Sequence, residues 1–207
     1  MAAISLTRLL FERLLPAQGE CEFSLASVAD ARSRLKYLPP KLPVEPVIRD
    51  RSGGVFFRWN LRDASPICYL GTEGEAYVAA DNDRGLASLV AYGPGLISCM
   101  QYWHHELVPD SPRSEDPAAL KASAQLSPAA IEAGVAKPKT PHEQYLPTLL
   151  SAMRGLSIVL EPSPFERIEQ ANRAYLPRWL ELCGAIETRT KKPRAKSTKT
   201  ATKSKSK

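Results

Sequence analysis

Between Val55 and Gly93 the chain reads VFFRWNL, PICYL, GTEGE, AYVAA and DNDRGLASLVAYG, and this alternation of β-favouring runs with turn residues constrains the fold more than any other stretch. Val55, Phe57 and Trp59 alternate against Phe56 and Arg58, a period of two that predicts a strand. PICYL and AYVAA are two further short strand candidates. The residues between them include Gly71 and Gly74, either of which supplies the positive φ that a hairpin loop needs. Asp81, Asn82 or Asp83 then caps a helix whose apolar face carries Leu86, Leu89 and Val90, and Gly93 stands where that helix ends. The unit is strand, hairpin, strand, capped helix.

Glu73 and Glu75 raise the question of chemistry in that hairpin. A glycosidase-type acid pair needs carboxylates on opposite sides of a cleft, and two glutamates in one turn do not supply that. A phosphate loop needs GxxxxGK or GxGxxG at a strand-to-helix crossing, and the stretch has neither. The glutamates are therefore read as hydrated turn residues.

Outside this unit the pattern is mostly helical. Leu6, Leu9, Leu10, Phe11 and Leu14 form a stripe closed by Pro16 and Gly19, and a second helix is expected from about Ser24 to Tyr37. LPPKLPVEP, with its four prolines, reads as a rigid extended connection preceding the turn RDRSGG. LISCMQYWHH is apolar and aromatic, and its periodicity leaves helix and strand both open. Residues 108–140 are rich in Pro, Ala and Ser and read as a linker or lightly packed excursion. HEQYLPTLLSAMRGLSIVL and SPFERIEQANRAYLPRWLELCG recover helical periodicity, the first interrupted by Pro147.

The formal charge of +6 is concentrated at one end. Nine of the 28 Lys and Arg residues lie in 188–207, leaving 19 against 22 acids in 1–187, a body at −3. The last twenty residues have too little apolar surface to order themselves and are expected to be a disordered basic tail. Cys21, Cys68, Cys99 and Cys183 are too dispersed for a metal knuckle or a disulfide scaffold, so free thiols and a reducing, cytoplasmic setting are expected. Arg8, Glu12 and Arg13 interrupt the N-terminus, Glu12 and Pro16 count against a presequence, and no run is long and apolar enough to span a membrane.

His104, His105 and Glu106 form one cluster of metal-ligating chemistry, and His142 with Glu143 a second pair. Adjacent histidines diverge by about 100° on a helix and point to opposite faces on a strand, so no metal site is expected. No G-x-S-x-G occurs, and Cys99 with His104 has nothing beyond proximity to make it a nucleophilic pair. No catalytic residue and no cofactor are assigned.

PICYLGTEGEAYVAADNDRGLASLVAYG resembles the SUKH superfamily, which comprises bacterial toxin-immunity proteins and fungal regulators of cell-wall synthesis. In that family a strand, an acidic glycine turn, a second strand ending in small residues and a helix with a leucine pair occur together. LPPKL and RSGGVFFRW lie where the family has a proline-marked lead-in and a glycine-containing turn; the Ala/Pro segment and the basic tail depart from a minimal member. The resemblance implies an α/β (α+β) fold: one domain over 1–187, its mixed or antiparallel sheet flanked by helices. It also implies no catalysis and a surface that binds a partner protein, an immunity member covering its cognate toxin, often a nuclease. A mildly acidic body suits a basic partner. Glu73, Glu75, Asp81 and Asp83 are the expected contact acids, with Tyr69, Tyr77 and Trp59 as aromatic anchors. The alternative is a polyanion-associated protein acting through Lys191, Lys192, Arg194, Lys196, Lys199, Lys203 and Lys205, without base stacking because no aromatics are interleaved.

Overall fold

The computed structural model describes residues 5–14, 22–36, 38–108, 117–123 and 127–190. Five strands, β1 (Phe23–Leu25), β2 (Val44–Asp50), β3 (Val55–Trp59), β4 (Ile67–Leu70) and β5 (Ala76–Ala80), form one antiparallel sheet in the order β1-β2-β3-β4-β5. From β2 onward the connections are short turns, which join antiparallel neighbours and are too short for a parallel crossover. Helices α1 (Leu6–Arg13), α2 (Val28–Leu35), α3 (Asp83–Leu89), α4 (Pro94–Leu107), α5 (Pro117–Ser123), α6 (Pro128–Ala136), α7 (Pro141–Gly155) and α8 (Pro164–Thr190) complete the described chain. The result is a mixed α/β domain, its sheet flanked by helices.

Both faces of the sheet are covered, which explains why VFFRW and ICYL carry so few polar residues. One face presents Phe23, Ile48, Phe56, Tyr69 and Tyr77 to a core shared with Leu10, Leu86, Met100 and Leu149. The other presents Val55, Phe57, Trp59, Leu70 and Val78 to Ala31 of α2 and to Ala171, Leu176 and Trp179 of α8. On the first face an aromatic row crosses the sheet: Phe23–Phe56, Phe56–Tyr69 and Tyr69–Tyr77 have ring centroids 5.6, 4.9 and 5.7 Å apart. The last two are direct cross-strand pairs, the unit through which side chains stabilise a sheet.

The hairpin at 71–75 forms as its glycines require, with Gly71 N–H donating to Glu75 O at 2.8 Å and Gly74 at φ 97°. Asn82 is the cap of α3, its side chain accepting from Gly85 N–H at 2.8 Å. Two segments at the start of the sheet differ from the sequence expectation. FSL pairs with β2 as an edge strand, and the helix begins only at Val28, because Ser27 and Asp30 close a capping box that fixes its start. The proline-rich connection becomes β2 from Val44 onward, where Pro46 sits beside a register shift against β3; a bulge there tolerates a residue without an N–H.

The ambiguous LISCMQYWHH is helical: Pro94 opens α4, and Leu96, Cys99, Met100 and Trp103 bury one stripe. Within 108–140 the described residues form α5 and α6, and Ile131 of α6 is buried in the main core. α7 continues through Pro147 and ends at Gly155, so SIVL lies outside it. Residues 191–207, which hold all seven tail cations named above, and Cys21 lie outside the described residues.

Candidate functional site

The three aromatics expected as anchors are core residues. Trp59 is 1% exposed and packs on Trp179 with ring centroids 5.5 Å apart, while Tyr69 and Tyr77 are 4% and 8% exposed. Tyr69 Oη donates to Asp50 Oδ2 at 2.6 Å, and burial beside that carboxylate pushes its pKa well above the usual tyrosine value. None of the three stands at the surface of this chain, since helices cover both sheet faces.

The four acids divide into two pairs at opposite ends of β5. Glu73 and Glu75 are exposed in the hairpin, where Glu75 Oε2 accepts from Glu73 N–H at 2.9 Å. Asp81 and Asp83 lie beyond the other end, roughly 17 Å away at ~3.4 Å per strand residue. Both are already engaged. Asp81 takes a bidentate contact from Arg167 at 2.9 and 2.8 Å. Asp83 accepts from Ser5 Oγ at 2.7 Å and from the amides of Leu6 and Thr7, satisfying the first turn of α1, and lies 3.4 Å from Arg58. The structure therefore brings Asp81 and Asp83 together with arginines and leaves Glu73 and Glu75 apart from them.

Around Asp83 opens a cleft of about 800 Å³ at the end of the sheet. Its floor is built from Glu45, Arg58 and Asn60, where β2 begins and β3 ends. Asn82, Asp83 and Arg84 form one wall, and the segment 158–162 forms the other. Arg58 is held between Glu45 at 3.5 Å and Asp83 at 3.4 Å, so this floor is preorganised by ion pairs. Arg84 is exposed and differs: its guanidinium donates from Nη2 to Ser157 O at 3.0 Å, and among the described residues no carboxylate pairs with it.

The wall 158–162 is anchored at its two ends. After α7, Ser157 adopts φ 54°, and the bonds Ser157 N–H to Arg154 O and Ile158 N–H to Met153 O, both 3.0 Å or shorter, close a Schellman motif with Ile158 and Met153 buried. At the far end Glu161 N–H donates to Ser88 O at 3.3 Å, and Tyr92 Oη donates to Glu161 O. Between these anchors Val159 is 74% exposed.

The chain's histidines stand on α4 and α7, away from the cleft lining, so Ser65 and Ser88 within it have no imidazole beside them. Ser88 Oγ donates instead to Gly85 O at 2.7 Å. Burial, with His105 adjacent, lowers the His104 pKa to about 4, and burial also lowers that of His142, whose Nε2 is 2.9 Å from Ala91 O. Burial raises the thiols of Cys68, Cys99 and Cys183, the last to about 12, the reverse of what activates a nucleophile. Among the described residues no three His, Cys, Asp or Glu side chains form a group able to hold a metal ion.

Of the residues expected as partner contacts, Asp83 alone lies in the cleft lining, and its neighbours there were not expected as contacts. Arg58, Arg84, Arg167 and Val159 come from β3, α3, α8 and a loop, and no local pattern links them. The one available signal was Gly155 before SIVLEP, a helix stop followed by β-branched residues. Comparison of the chain with protein-family models, curated proteins and solved structures finds no match.

Proposed function

We propose that the chain is a non-catalytic protein-binding module of the immunity type that its SUKH-like stretch suggests, and that it neutralises a cognate toxin through the cleft at the sheet end. The observation that carries this reading is the cleft itself: open, lined by charges already fixed by their neighbours, and edged by an exposed valine. Preorganised charges lower the cost of ordering an interface and select partners by complementarity. Val159 supplies an apolar knob that water does not favour. Glu73 and Glu75, at the distant hairpin, form a separate patch and are not part of this contact.

The test is growth of cells that express this chain together with the product of each gene adjacent to its own, and it takes a neighbour that arrests growth by itself as the toxin. Protection is expected, and the double substitution Arg84→Glu with Val159→Glu is expected to abolish it without lowering Tm, since both side chains are exposed. Absence of protection by the unaltered chain overturns the immunity reading. Protection that survives the double substitution moves the contact away from the cleft.

A further inference from the structure

We infer that His142 is an acid-sensitive latch: protonation of its imidazole releases residues 127–146 from the turn at Val90–Gly93, with Pro147 as the hinge. The inference is independent of the toxin reading.

His142 is the second residue of α7 and is 8% exposed. Its Nε2 lies 2.9 Å from Ala91 O, and because a carbonyl only accepts, Nε2 carries the proton. Nδ1 is buried and meets no hydrogen-bond partner among the described residues. The neutral ring is thereby fixed in one tautomer, and a second proton on it faces no acceptor. The ring also fills the space beside Gly93, where a Cβ would stand 2.5 Å from Cδ2 and where φ is 56°. One imidazole thus joins the first turn of α7 to the single turn Val90–Tyr92 and its glycine stop.

The charged groups of the surrounding elements do not stabilise the cation. Glu143 is the carboxylate of the first turn of α7, and its Oε2 is engaged by the amides of Lys139 and Thr140 at 2.6 and 2.9 Å. Lys137 and Lys139, before the helix, are exposed and cationic themselves. The turn Val90–Tyr92 and the start of α4 offer only Tyr92, whose hydroxyl donates to Glu161 O. On α6 Glu132 is exposed, while on α1 Arg8 pairs with Glu12 and Arg13 reaches Gly155 at the opposite end of α7. The first turn of a helix also disfavours positive charge, because the peptide dipoles point their positive ends there. Burial accordingly holds the imidazole below the usual histidine range, with Ala91 O and Glu143 opposing it.

The latched segment can move as a unit. Gly134 lies against α7, where a Cβ would meet Glu143 Cγ at 3.1 Å and Leu146 Cδ1 at 3.3 Å, so α6 follows the first turns of α7. Pro147 has no N–H for Glu143 O. The helix therefore lacks a bond between the turns that carry His142 and the part anchored in the core by Leu149 and Met153. In the open form the ring titrates at the ordinary value of about 6.5 and in the closed form below it, so closure is strongest above pH 6.5 and weakens as pH falls.

The experiment is native-state amide hydrogen exchange on the full chain between pH 7.5 and 5, corrected for intrinsic exchange rates. Protection in α6 and at Gln144–Leu146 is expected to fall by up to about 30-fold at pH 5, the factor by which a group of pKa near 6.5 favours the open form. Amides of β3, β4 and β5 are expected to keep theirs. His142→Gln retains a donor for Ala91 O without a titrating ring and is expected to remove the pH dependence, with His104 and His105 of α4 left in place. At pH 7.5 the nitrogen resonances of the His142 ring are expected to show a neutral imidazole protonated on Nε2. Equal loss of protection in the sheet, equal loss beyond Pro147, a pH dependence that survives His142→Gln, or a ring protonated on Nδ1 each overturns the inference. Where the variant does not fold, the unaltered chain decides. His142 is the only histidine in residues 127–146, so the logarithm of protection there is expected to approach a slope of about one per pH unit below 6, one proton per opening; a flat profile overturns the latch.

Discussion

Asp50 is 5% exposed and is satisfied locally: Ser52 Oγ and Gly54 N–H donate to Oδ1 at 2.7 and 2.9 Å, and Tyr69 Oη donates to Oδ2 at 2.6 Å. Tyr69→Phe removes one donor from a buried carboxylate and is expected to cost about 1–3 kcal/mol in urea unfolding. Gly54 is required beside it, because a Cβ there stands 2.0 Å from Tyr69 Oη. The sequence marked RDRSGG as a turn but gave Tyr69 a surface role, since a tyrosine that closes a turn and one that meets a partner look alike until the covering helices are placed. His104 gives a pH dependence. Its folded pKa of about 4 lies below the usual 6.5, so the folded state resists protonation. The stability this reflects is complete above pH 6.5 and is lost as pH falls towards 4. Urea midpoints at pH 7 and 4.5 are expected to diverge, and His104→Gln is expected to narrow the gap; an unchanged gap removes His104 as its source.

At the scale of elements, β5 shows how an edge is closed. Ala76–Ala80 are buried under α4 and α8, and Asn172 of α8 donates from Nδ2 to Val78 O at 2.7 Å and to Ile168 O at 2.8 Å. A helix thereby supplies a donor to an edge carbonyl that has no sixth strand. Asn172→Ala leaves Val78 O buried without that donor and is expected to cost about 1–3 kcal/mol, read as a lower Tm. Asn172→Asp is expected to be worse, because it turns an oxygen towards two carbonyls. AYVAA was legible as a strand from its composition, and its small residues make room for the helices. β1 and β2 were not legible: three residues are too short for a period to show, and Pro46 suggests a connection until the bulge beside it is seen. α4 was undecidable for another reason, since a helix buried along most of its length loses the polar face that periodicity needs.

For the whole molecule, the chain divides electrostatically more sharply than it does by sequence length. The cleft is assembled from residues between 45 and 167, which is why Asp83 alone of its lining was expected as a contact residue. The net charge, by contrast, lies in residues the cleft does not use. Eight of the 28 Lys and Arg residues fall in 191–207, so a chain ending at Thr190 has 20 bases against 22 acids and a formal charge of −2. Polyanion affinity that depends on counterion release scales with the cations brought to the surface, and losing eight of them removes most of it. The chain ending at Thr190 is expected to pass through a heparin column in 50–100 mM salt, roughly one Debye length of 10–14 Å, while the full chain is retained and elutes as salt rises. Retention of the shortened chain on heparin places a polyanion surface on the folded body, with Arg58, Arg84 and Arg167 the first residues to examine. Retention lost together with residues 191–207 makes those residues an electrostatic element independent of the folded body.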